Sequence, residues 1–306
     1  VAALPGPARD GAALGLLLAG LGAVGFSGKA VLIKLAYAHP VDAVTLLALR
    51  MLLSLPFFAA MAVWSGRNHA YRMQRADWIA IFGLGFLGYY LASYLDFLGL
   101  QYIPAGLERL ILFLYPTMVL LLSALFLRQT VTRLHLLALA LSYGGILLVF
   151  LDSLRLGDSA GATALGSALV FGSALSYAVY LVWGGTLITR LGAVRFTAYA
   201  MTVASALCIL QFVLTRPLDA LVLPAPVYGY GVLMAILSTV FPVWAVSEAI
   251  RRVGASRVAL VSAVGPVATI FLGWLFLGEA ITAIQLAGAA LVLAGVLMLS
   301  LKKQSP

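Results

Sequence analysis

Long apolar runs separated by short polar turns dominate the chain. A membrane-spanning helix needs roughly 20 apolar residues. Ten runs meet that length, at 12–33, 42–64, 77–100, 103–127, 134–151, 164–188, 194–214, 228–250, 255–277 and 282–301. The turns between them, such as 101–104 and 278–282, leave no room for a separate domain. The pattern also repeats. Residues 104–132 read PAGLERLILFLYPTMVLLLSALFLRQTVT, and 254–282 read GASRVALVSAVGPVATIFLGWLFLGEAIT. A shift of 150 lays one over the other without a gap. Ala105 meets Ala255, Pro116 meets Pro266, and Leu125-Phe126-Leu127 meets Leu275-Phe276-Leu277. Paired prolines inside apolar runs do not follow from composition alone, so the match reads as an internal repeat.

The repeats are expected at 1–151 and 162–301, with five helices each. Five is odd, so the second set enters the bilayer from the side opposite to the first. The expected fold is an all-α integral membrane protein of ten transmembrane helices in two inverted five-helix repeats. That arrangement recurs in secondary transporters, which bind substrate between the repeats and expose it to each side in turn.

Composition agrees. The 306 residues are 63% hydrophobic and 9% charged, with mean hydropathy +1.09, against about 25% charged in a soluble domain. The chain lacks the polar residues to cover a soluble globule. The net charge of +9 would suggest nucleic acid in a soluble protein. Here the basic residues sit in short loops, and the excess of Lys and Arg in cytoplasmic loops explains them. With the N-terminus inside, thirteen of the nineteen Lys and Arg face the cytoplasm. Lys34, Arg155 and Arg216 face out, and Lys29, Arg50 and Arg109 lie within helices. Both termini are therefore expected in the cytoplasm. The first run is too long for a signal peptide and contains Lys29, so it reads as a retained helix. Cys208 is the single cysteine and supports neither a disulfide framework nor a metal cluster. No nucleotide-binding loop of the G-x-x-x-x-G-K-[ST] form is present, so no ATP-driven module is expected. Glycine-rich faces at Gly20 and Gly22, Gly144 and Gly145, and Gly288 and Gly295 suit close helix packing in lipid.

Further motifs carry a resemblance. Each repeat ends in a proline-containing helix, then Leu-Phe-Leu and a turn. Leu277-Gly278-Glu279 closes the second; Arg128-Gln129 stands at the same place in the first. Ala48-Leu49-Arg50-Met51-Leu52-Leu53 forms a second-helix arginine motif, and Gly88-Tyr89-Tyr90 with Tyr94 precedes Ala105-Gly106. Together these resemble the EamA domains of the drug/metabolite transporter superfamily, and within it the YddG-type amino-acid exporters. The resemblance implies efflux of aromatic or other amino acids and related metabolites across a bacterial inner membrane. No cofactor and no nucleic acid are expected; the expected partners are amino acids and the lipid bilayer. Fused repeats supply both halves of a carrier, so a monomer suffices.

Ionisable groups within a bilayer are costly and mark candidate sites. At 1.5 Å per residue, Lys29, Asp96, Glu108 and Arg109 sit roughly 6–9 Å below the outer surface, and Arg50 about 12 Å. One reading is a structural cluster, for instance Arg50 paired with Asp96 or Glu108. The other is a polar vestibule of Lys29, Arg50, Asp96 and Glu108 holding both charges of a zwitterion. Lys29 and Arg109 could instead snorkel along lipid. Glu248 is placed to pair with Arg251 and Arg252 one turn on. Glu279 reads as solvated.

Aromatic residues form the second candidate set. Tyr90, Tyr94 and Phe97 share a helix face at i, i+4 and i+7. Tyr94 meets Trp244 under the 150-residue shift, while Tyr177, Tyr180 and Trp183 continue the sixth helix. Tyr90, Tyr94, Trp244, Tyr177, Trp183 and Ser238 are the candidate substrate-binding residues, with Tyr94 and Trp244 at the centre; ordinary packing is the competing reading. Ser238 and Thr239 either face the pocket or bond back to their own helix. Pro116 and Pro266 each remove a backbone hydrogen bond and bend a helix, as hinges or as static kinks. The runner-up functions are a channel for small polar solutes and a drug or cation efflux carrier. Gly25-Phe26-Ser27-Gly28 has the form of a serine hydrolase motif, but His39, His69 and His135 all lie at helix ends or in loops, out of reach of Ser27. No enzyme activity is expected.

Overall fold

A computed structural model describes residues 9–67, 73–156 and 159–302. These residues form helices and turns with no strand among them. The helices are α1 (Arg9–Tyr37), α2 (Ala43–Arg67), α3 (Arg75–Gly85), α4 (Ala92–Gly99), α5 (Ala105–Leu112), α6 (Tyr115–Phe126) and α7 (Arg133–Leu156). They continue as α8 (Ala160–Leu191), α9 (Ala193–Thr215), α10 (Ala225–Ala235), α11 (Phe241–Val253), α12 (Ala255–Ser262), α13 (Gly265–Leu277) and α14 (Ala283–Lys302). Among the described residues nine helical stretches are long and apolar enough to cross a membrane, and Ala283–Leu299 is a shorter apolar helix.

The interruptions are the informative part. A π-helical turn, Phe86–Leu91, joins α3 to α4, and another, Ile236–Val240, joins α10 to α11. They start 150 residues apart. α5 gives way to α6 at residues 113–114, and α12 to α13 at 263–264, again 150 apart. Four helices are thus interrupted midway, in two matched pairs.

The prolines act differently from the sequence expectation. Pro116 lies in the first turn of α6 and Pro266 in the first turn of α13. A first-turn N–H has no partner within its helix, so proline there removes no hydrogen bond and starts a helix well. The two prolines therefore open the second segment of a broken helix and do not bend a continuous one.

Close packing explains the glycine faces. A Cβ on Gly145 would meet the Gly288 carbonyl at 2.6 Å, and one on Gly288 would meet the Gly145 carbonyl at 2.6 Å. α7 and α14 can touch along this line only because both lack side chains there. Gly144, by contrast, faces open space.

Two groups of helices emerge. α1 packs along α10, α11, α12 and α13, while α8 packs along α3, α4, α5 and α6. Contacts between the groups concentrate at one end of the bundle, here the Lys34 end. There α5 packs on α13. At the opposite, Arg190 end, no comparable packing of α6 on α12 is seen among the described residues.

Candidate functional site

Ties between the two groups are polar and sit at the Lys34 end. Lys34 donates to the Ile103 carbonyl at 2.9 Å, and the Tyr37 hydroxyl donates to the Phe97 carbonyl at 2.7 Å. Glu279, in the turn after α13, accepts from the N–H of Ala105 at 2.8 Å and of Gly106 at 3.3 Å. Those N–H groups open α5 and lack helical partners. The carboxylate also meets the positive end of the helix dipole. Glu279 therefore caps α5 across the molecule, where the sequence suggested mere solvation. In the same region Thr282 donates to Asp152 at 2.5 Å.

Deeper in, Lys29 of α1 reaches Asp96 of α4 at 2.5 Å and Glu108 of α5 at 3.5 Å. Asp96 is 1% exposed and Glu108 fully buried. The acids thus pair with Lys29, and Arg50 takes other partners. Its Nε donates to Thr239 Oγ1 at 3.0 Å, and its guanidinium lies 5.5 Å from the centre of the Phe97 ring. Arg109 does not snorkel: its Nε is buried, and its side chain lies against Gly265 on α13. Lys29, Arg50, Asp96 and Glu108 are consequently enclosed in this conformation and do not line an open vestibule.

The aromatic candidates divide. Tyr90 and Tyr94 are half-buried and nearly parallel, with ring centres 6.4 Å apart. Tyr177 belongs to a second cluster. Its ring lies 5.5 Å from Tyr180, 5.4 Å from Tyr115 and 6.5 Å from Tyr89. The hydroxyls of Tyr89 and Tyr180 lie 3.1 Å apart. Trp183 meets Phe126 at 5.4 Å, and Trp244, 57% exposed, meets Phe241 at 6.1 Å. Ser238 is buried with its hydroxyl unpaired, while Thr239 bonds back to the Met234 carbonyl at 2.9 Å. Tyr90, Ser238 and Thr239 all fall within the π turns, a local geometry frequent at functional sites. Sequence reasoning missed both turns. Gly88 lets the first of them pack closely, since the Tyr180 side chain occupies the place of its missing Cβ.

Other readings fall into place. Glu248 pairs with Arg251 at 2.6 Å and with Arg252 at 2.7 Å. Ser27 directs its hydroxyl to the carbonyls of Ala23 and Gly265, at 2.7 and 2.9 Å. His69 lies outside the described residues. A cleft of about 620 Å³ opens at the Lys34 end, lined in part by Lys34, Gln101, Asp152, Glu279 and Gln285. None of the candidate substrate-binding residues lines it.

Helices interrupted in matched pairs and spans on this scale fit a membrane carrier, and comparison with known proteins decides the family. The profile of the EamA-like transporter family matches residues 13–151 and again 164–301. The chain belongs to the EamA-like transporter family. Its relatives include "Uncharacterized transporter YcbK" of Bacillus subtilis (strain 168), 32% identical over 90% of this chain and 89% of the relative. An "Uncharacterized transporter" of Archaeoglobus fulgidus is 28% identical over 76% of this chain and 81% of its own. A solved crystal structure aligns with 95% of this chain and 99% of its own length, at TM-score 0.60 and 19% identity, so the fold is shared. The chain is thus a multi-pass membrane protein of a transporter family.

Proposed function

We propose that this EamA-like protein is a bacterial inner-membrane secondary transporter that exports amino acids, aromatic ones among them, by alternating access. In this reading ten helices cross the bilayer as two inverted sets of five, and both termini are cytoplasmic. The observation that carries it is the paired interruption of four helices at 150-residue spacing. Interrupted helices are where carriers of inverted-repeat design hold their cargo. The bias of basic residues toward the other loops supports an outward-facing Lys34 end. The conformation described is then closed to the outside, because α5, α13, Glu279 and Lys29 join the groups there. Substrate would enter from the Arg190 end and rest at the π turns, with Tyr90, Tyr94, Ser238 and Trp244 at its side and Tyr177 and Trp183 further round. Pro116 and Pro266 would mark the pivots.

Proteoliposomes loaded with labelled phenylalanine, tyrosine, tryptophan, aliphatic amino acids and a cationic dye provide the test. Saturable amino-acid efflux, stimulated by unlabelled amino acid on the other side, is the expected result. Efflux of the dye alone would move the assignment to cation export, and non-saturable flux would make the protein a channel. Tyr94→Ala and Trp244→Ala should each lower efflux at least tenfold in folded protein. Wild-type kinetics in both would remove the pocket assignment.

A further inference from the structure

We propose that Asp96 and Glu108 form a proton-binding site whose access is governed by Lys29. The inference rests on the carrier reading above and names its coupling ion.

The geometry calls for a proton. Asp96 and Glu108 converge on one ammonium, with Lys29 Nζ 2.5 Å from the first and 3.5 Å from the second. Both are carboxyl groups, and neither is exposed. Asp96 Oδ1 and Glu108 Oε2 lack any hydrogen-bond donor, and Glu108 Oε1 has only the Lys29 ammonium at 3.5 Å. Two buried carboxylates on one ammonium leave a net negative charge out of water, which favours the neutral form of one of them. A buried acceptor without a donor is costly as well. A single proton on the pair removes both problems: one carboxyl becomes a donor and the other accepts.

The surroundings do not supply an alternative. Lys29 of α1 is bonded to Asp96 at 2.5 Å and lies 3.5 Å from Glu108. Arg50 of α2 is turned to Thr239 and Phe97; it reaches Asp96 only through longer-range attraction, and Cys208 of α9 faces Arg50. Arg109, beside Glu108 in sequence, lies against Gly265 of α13 and attracts Glu108 without bonding it. Tyr115 of α6 faces Arg109, and Tyr37 of α1 gives its hydroxyl to Phe97. α13 carries no charged residue. On α8 the one charge, Arg190, pairs with Asp77. Asp152 of α7 is bonded by Thr282, and Glu279 caps α5. A metal ion is disfavoured because the ammonium already occupies the position beside both acids.

The placement gives the site its consequence. Lys29 belongs to the α1 group and the two acids to the α8 group. Parting the groups at the Lys34 end withdraws the ammonium and admits water, so the pair exchanges protons with that side only when it is open. The step makes and breaks only O–H bonds: hydronium in the entering water gives a proton to a carboxylate and becomes water, and on release water takes the proton back as hydronium.

Infrared difference spectroscopy of the purified chain in detergent, without substrate, tests this. At neutral pH the wild type should show the carbonyl stretch of a protonated, desolvated carboxylic acid. Glu108→Gln and Asp96→Asn should each abolish it, because one acid then remains to pair with Lys29. Lys29→Met should strengthen it. If a variant does not fold, the other variant and the wild-type titration from mildly acidic to mildly alkaline pH still decide. No such band, or a band untouched by either acid's replacement, overturns the proposal. The spectrum needs no transport, so failure of the proteoliposome assay and failure of this one are separate results.

Discussion

Two turns of this molecule share a backbone and differ in chemistry. After α6 the chain reads Leu127-Arg128-Gln129, and after α13 it reads Leu277-Gly278-Glu279. The N–H of Gln129 bonds the Ser123 carbonyl at 3.3 Å, and that of Glu279 bonds the Gly273 carbonyl at 3.2 Å. The middle residue is left-handed in both, at φ 54° for Arg128 and 68° for Gly278. Only the second turn carries a carboxylate, and that carboxylate caps α5. The helices beside it, α5 and α13, pack together; among the described residues α6 and α12 show no comparable packing.

The largest effect is expected from Lys29→Met, which takes away the cation between Asp96 and Glu108. Breaking a buried pair costs about 3 kcal/mol at the low end, and proton uptake by the acids keeps the loss there. Chemical unfolding in detergent measures it; an unchanged midpoint would show that the Lys34 end is not held by charge. Glu279→Gln should cost about 1 kcal/mol, through the weakened cap and the lost dipole attraction. It should also raise thiol labelling of an Ala105→Cys reporter several-fold, since Cys208 is buried and stays silent. Labelling at the parent rate would mean that Glu279 does not hold this end shut. Arg128→Gly tests the other turn. A side chain at positive φ costs about 1–2 kcal/mol, so the variant should be about 1 kcal/mol more stable to heat without moving the reporter.

The smallest effect is a control on the same face. Asp42 bridges to Arg216 at 3.2 Å, with both side chains over a third exposed. Partial burial pushes the Asp42 carboxyl up, but Thr45, Arg216 and the N–H groups of Thr45 and Val44 hold it below the usual carboxylate range. Its contribution is therefore present at neutral pH and fades as pH falls through the folded value. Arg216→Ala should cost under about 0.5 kcal/mol and leave reporter labelling unchanged. A larger change would make this bridge part of the latch.

Much of the frame was legible because lipid imposes simple rules. Uninterrupted apolar length marked the helices, and matched prolines marked the repeat. The Glu248 pairs were legible because helix geometry fixes which neighbours three and four residues away can meet. Lys29 was harder. Its partners lie 67 and 79 residues along the chain, and nothing local chooses between Lys29 and Arg50 for Asp96. The π turns were hidden for another reason. Phe86–Leu91 and Ile236–Val240 share no residue type at matched places except leucine, so composition carries no signal of the widened turn. The predicted face of Tyr90, Tyr94 and Phe97 crosses one of these turns' ends; Phe97 is fully buried beneath Arg50, while the two tyrosines are half-buried.

A widened turn has a mechanical meaning. It stores one more residue than the ordinary coil, and an α-helix advances about 100° per residue. Passing that surplus along the rod would twist one segment against the other by about that angle, with neither loop lengthened. The rods through Tyr90 and through Ser238 each carry such slack at their midpoints. Such a twist would re-aim the side chains of these turns, Tyr90 and Ser238 among them.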